Sequence, residues 1–124
     1  MAFIPALLKW LGLERGPAQV GLRPHRVLEL DRGYDAAYES CLAGIDTVLG
    51  ATVYVDDRKT GFIEAGFGLV NSERLRISLE PLDTAHTRVR IEAFYPATVK
   101  PPAASLSVDA LANALQPLQN NDSR

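Results

Sequence analysis

A chain of 124 residues, 47% hydrophobic, suits one domain with one core and leaves no room for a second. A formal net charge of −2 and a pI near 5.6 argue against nucleic acid as a partner, since domains that neutralise phosphates are usually basic with clustered Lys and Arg. Cys41 is the sole cysteine, so no intrachain disulfide can form and a reducing compartment is expected.

Phe3, Ile4, Leu7, Leu8 and Leu11 follow the spacing of one helical face, with Trp10 beside it, and predict an amphipathic helix over residues 1–13. Pro5 is tolerated in a first turn. The stretch lacks a basic leader and is far shorter than the roughly 20 apolar residues that cross a bilayer. The expected location is therefore cytoplasmic. Gly16, Pro17, Gly21 and Pro24 mark residues 14–24 as a linker, and a single α+β domain is expected over 25–119.

That domain opens with a strand from Arg26 to Leu30. Tyr34, Ala37, Tyr38, Cys41, Ile45 and Val48 then repeat every three or four residues and predict a central amphipathic helix closed by Gly50. A strand over 51–56, with Val53 and Val55 on one face, turns through Asp57 to Gly61 into a strand carrying Ile63, Ala65 and Phe67. Leu75, Ile77 and Leu79 alternate with Arg74, Arg76, Ser78 and Glu80. After a connection from Pro81 to His86, Val89, Ile91 and Ala93 alternate with Arg88, Arg90, Glu92 and Phe94. Each strand has one apolar and one mainly charged face, as a half-buried antiparallel sheet requires. Placing Leu79 opposite Val89 sets Glu80 against Arg88 and Arg76 against Glu92, and a slip of two residues loses at least one charge pair. A final short helix begins near Val108 with Ser107 as its cap, and residues 120–124 form a disordered tail. The expected class is α+β: about five antiparallel strands packed on the central helix, with short helices at both ends.

The residues that carry chemistry do not assemble into a constellation. His25 and His86 lack a second ligand at metal spacing, and no metal or cofactor is implied. Asp56 and Asp57 fit a solvated turn better than a calcium loop. Cys41 falls in phase with the apolar helix face, where a thiol behaves as a small hydrophobe rather than a nucleophile. Gly66-Phe67-Gly68 lacks the later glycine, the lysine and the helix of a phosphate loop. The expectation is that the protein is not an enzyme.

From Tyr34 to Tyr95 a Tyr-Asp-x-Ala-Tyr helix precedes an Asp57-x-x-x-Gly61-x-Ile63-x-Ala65 hairpin. Leu79-Glu80-Pro81 and Thr87-Arg88-Val89-x-Ile91 follow. This pattern resembles small uncharacterised bacterial domains and, more remotely, the helix-grip domains of BamC lipoproteins in the outer-membrane β-barrel assembly machine. The resemblance implies a helix on an antiparallel sheet and brings no catalytic residues.

Two functions are expected in turn. The first is a non-catalytic protein-interaction or structural module, with a protein partner or a second copy of the chain. Its candidate partner surface is Phe3, Ile4, Leu7, Leu8, Trp10 and Leu11 of the first helix with Tyr54, Phe62 and Phe94, which alternation places away from the core. The alternative is a carrier of a small apolar ligand, by resemblance to helix-grip lipid-binding proteins. A membrane surface is a weaker partner, because Lys9 and Arg15 are few cations for an interfacial anchor.

Overall fold

The computed structural model describes residues 23–69 and 71–116. The helix expected over 1–13, most of the linker and the tail lie outside the described residues. Within them the fold is α+β, with five strands and two helices. Strand β1 (His25–Leu30) leads into α1 (Tyr34–Gly44), which continues as a π-helical turn, Ile45–Leu49. There follow β2 (Thr52–Asp57), β3 (Phe62–Gly66), β4 (Arg74–Asp83), β5 (His86–Phe94) and α2 (Leu106–Leu115).

The strands form one antiparallel sheet in the order β1-β5-β4-β3-β2. The β4–β5 register is the one that charge pairing selects: Leu79 faces Val89, Ile77 faces Ile91, Glu80 faces Arg88 and Arg76 faces Glu92. The ladder also reaches into the stretch read as linker, since the Ala93 N–H donates to the Pro24 carbonyl at 2.9 Å.

One sheet face carries Leu28, Leu30, Ile63, Ala65, Leu75, Ile77, Leu79, Val89, Ile91 and Ala93 into the core. Ala37, Tyr38 and Cys41 of α1 and Val108, Leu111, Ala112 and Leu115 of α2 complete that core. Both helices thus lie on the same side. Alternating burial along each strand leaves the opposite side to polar and aromatic residues.

Four expectations change. Val53 and Val55 do not share a face: a β-bulge between them sets Val53 against Ala65 but Val55 against Glu64. A bulge places two residues opposite one and so reverses the alternation beyond it. Val48 leaves the apolar stripe and is 48% exposed, because the wider π turn adds residues per turn and rotates it away from Ile45. Gly50, at φ 62°, then closes the turn as expected. Pro81 belongs to β4, paired with Thr87 beside a bulge rather than in a connection. Finally, α2 starts two residues earlier, on Ser105: its hydroxyl accepts the Val108 N–H at 3.2 Å.

Candidate interaction surface

The face turned away from the helices is built from strand residues of the second phase, and its rings and guanidinium groups interleave. On β5, the ring of Phe94 has the Arg76 guanidinium 3.9 Å and the Arg23 guanidinium 4.2 Å from its centroid. Arg76 also lies 5.4 Å from the Phe62 ring on β3, and Arg74 lies 4.6 Å from the Tyr54 ring on β2. A guanidinium over an aromatic face is attracted by the ring quadrupole and leaves its N–H edge for carboxylates. Arg76 uses that edge on Glu64, with Nε at 3.0 Å and Nη2 at 2.9 Å from one oxygen. Arg23 pairs with Glu92 at 2.9 Å, Arg90 with Glu92 at 3.7 Å, and Arg88 with Glu29 and Glu80.

Tyr54 follows Val53, which pairs with Ala65 of the core face, and so points to the outer face by alternation, where its ring lies over Gly66. A Cβ at Gly66 would stand 2.7 Å from Tyr54 Cε2, so only a residue without a side chain lets the ring lie flat there. Tyr54 remains 46% exposed, while Phe62 and Phe94 are half-buried. A groove of about 300 Å³ runs beside these rings, lined by Glu64, Ser72, Arg74, Arg76, Phe94 and Tyr95 among others.

The wall of that groove is locked from behind. The Tyr95 hydroxyl donates to Glu73, and the Ser105 hydroxyl donates to the same carboxylate oxygen at 2.9 Å. Burial, and then the bond to Glu73, raises the Tyr95 pKa well above the ordinary phenol value. Ser105 gives its proton to Glu73 and its lone pair to the start of α2, so its hydroxyl is engaged in capping. Sequence reading missed this trio. Its members stand far apart in the chain, and only the packing of α2 brings them together.

No family model and no curated protein matches the chain. A solved structure of an uncharacterised protein from Bacillus thuringiensis is similar at 8% identity. It covers 81% of this chain and 92% of its own, with a TM-score of 0.47.

The other sequence candidates are dispersed. Cys41 is fully buried under α1, whereas both histidines are exposed at the surface. His25 Nδ1 lies 3.0 Å from the Arg23 carbonyl, and His86 lies against Asp83 and Asp31. Asp56 is not a free turn residue, since it accepts the Tyr38 hydroxyl at 2.7 Å. Among the described residues no group of three or more His, Cys, Asp or Glu side chains could hold a metal ion. No helix among them is long and apolar enough to cross a membrane. Phe3, Ile4, Leu7, Leu8, Trp10 and Leu11 lie outside the described residues.

Proposed function

We propose that the protein is a non-catalytic interaction module that binds another protein through the outer face of its sheet, with Tyr54, Phe62 and Phe94 as contact residues. The observation that carries this reading is the interleaved set of rings and guanidinium groups, held in place by Glu64 and Glu92. Tyr and Arg are enriched among the residues that dominate protein interfaces. Side chains already fixed by neighbours lose less freedom on binding. The carboxylates paired with Arg23, Arg76, Arg88 and Arg90 favour a protein over a polyphosphate partner, because a phosphate backbone would have to displace them. The carrier alternative has less support. Tyr38, Ile45, Ile77, Ile91 and Leu111 meet with no exposed area in the space that a gripped ligand would take.

A photo-crosslinking residue placed at Tyr54, and separately at Val48 on the helical side, tests the reading in extracts of the producing cell. A discrete protein adduct is expected from position 54, absent from position 48, and reduced by Phe62→Ala with Phe94→Ala. Equal adducts from both positions, or none from position 54, would remove the interaction reading.

A further inference from the structure

We propose that the groove beside Phe94 takes an acidic side chain of the partner protein, flanked by an apolar one, and that Arg74 receives its carboxylate. This rests on the interaction-surface reading for the occupant being a polypeptide, while the sign of its charge follows from how the arginines are paired. Glu92 holds Arg23 and Arg90, Glu64 holds Arg76, and Glu29 and Glu80 hold Arg88. Arg74 is exposed on the same face, opposite Phe94 on one side and Gly66 on the other. Among the described residues no carboxylate pairs with it. The acids close to it in the ladder and the chain are committed elsewhere. Glu64, diagonal from Arg74 across the β3–β4 pair, has one oxygen bound by Arg76 Nε at 3.0 Å and Nη2 at 2.9 Å. Glu73 is buried and accepts the hydroxyls of Tyr95 and Ser105.

Arg74 is nonetheless held in position. Its guanidinium lies 4.6 Å from the centroid of the Tyr54 ring, and that ring is seated on Gly66. A guanidinium stacked by its flat face keeps the N–H donors of its edge for a ligand, in a fork that a carboxylate matches with two parallel bonds. A group already stacked loses less freedom when that ligand arrives. The groove of about 300 Å³ is at the small end of ligand pockets, so it suits one or two side chains rather than a whole cofactor. Leu75, Phe94, Tyr95 and Pro96 make up much of its lining, which fits an apolar residue next to the acid. A carboxylate fits better than a phosphate. Glu64 lines the groove and Glu73 lies behind its wall, and both repel a dianion more strongly than a single negative charge.

The test titrates the N-acetylated, amidated tripeptide Phe-Glu-Phe into the isotope-labelled full chain, followed by NMR at low salt, where exposed charges are least screened. The tripeptide Phe-Gln-Phe, blocked in the same way, is the uncharged match. The glutamate peptide should move the Arg74 Nε–H resonance and the Ser72 and Tyr95 amides to saturation, and the glutamine peptide should move them several-fold less. Arg74→Gln should abolish the difference between the peptides. Arg74→Lys keeps the charge but not the fork, and should restore only part of it. The comparison of the two peptides uses the unaltered chain, so it decides the matter even if a variant does not fold. No response, equal responses to both peptides, or a larger response to inorganic phosphate than to the glutamate peptide would overturn the assignment. A position-54 adduct undiminished by Arg74→Gln leaves the interaction reading in place and removes the acidic contact. Glutamate selectivity at Arg74 without any such adduct keeps the carboxylate site and removes the protein partner.

Discussion

The thiol of Cys41 lies in the core between helix and sheet, and burial pushes its pKa up to about 12, against a smaller opposite pull from Arg32. A thiol that stays protonated and out of reach is inert. Labelling by a thiol reagent should be slow in the folded protein and fast after unfolding, and Cys41→Ala should cost on the order of 1 kcal/mol. Rapid labelling of folded protein would return the nucleophile to consideration. A second residue-scale expectation concerns His86. The hydrogen bond that His86 donates to the Asp83 carboxylate, and then the charge of that carboxylate, raises His86 above its ordinary 6.5. The Ala85 N–H and then the His86 bond lower Asp83 below 3.8. The histidine's contribution is complete below 6.5 and lost as pH rises through its raised value. The aspartate's is complete above 3.8 and lost as pH falls through its lowered value. The pair therefore stabilises most between those limits. The melting temperature of His86→Ala should fall below that of the parent near pH 5, and the gap should shrink near pH 9. An equal gap at both would show that the pair is not the source.

At the scale of elements, Ile45 and Val48 make a discriminating pair. Sequence periodicity places both on one apolar stripe, but the π turn keeps Ile45 fully buried and leaves Val48 half in water. Ile45→Ala should cost roughly 2–5 kcal/mol in urea unfolding, whereas Val48→Ala should stay within about 0.5 kcal/mol. Similar costs would mean that the turn is α-helical after all. The π turn was not legible because its cause is not in the local pattern. The same holds for the bulge at Val53, where alternation continues in the sequence while the pairing slips by one. It holds too for the cap of α2. Ser105 and Ser107 both precede the apolar run, and Glu73, from a distant loop, engages Ser105. The β4–β5 register, by contrast, was readable. It depends on charges and apolar residues within two adjacent strands, where one slip changes every pair.

For the molecule as a whole, alternation fixes which residues face the core but not which strands are neighbours. The pairing of β1 with β5 joins residues far apart in sequence, and nothing local in either strand announces it. The candidate surface was legible to the same degree. Phe62, Phe94 and Tyr54 follow from phase, while the arginines that organise them require the strand order. The last helix ties this arrangement together. Asp109 on α2 binds Arg26 of β1 at 3.1 Å, and the Gln116 side chain donates to the Glu29 carbonyl at 2.8 Å, closing that edge of the sheet. Val108, Leu111 and Leu115 are at most 3% exposed. Burying such side chains contributes roughly 1.5–3 kcal/mol each, about 5–9 kcal/mol together. Domains of this size are stable by only about 5–15 kcal/mol in total. Removing residues 103–124 should therefore abolish the cooperative thermal transition and the near-ultraviolet circular dichroism, and leave a collapsed chain that binds hydrophobic dyes. If the shortened chain instead melts cooperatively within a few degrees of the parent, the sheet and α1 would form the folding unit by themselves. Helix α2 would then be an accessory rather than the second half of the core.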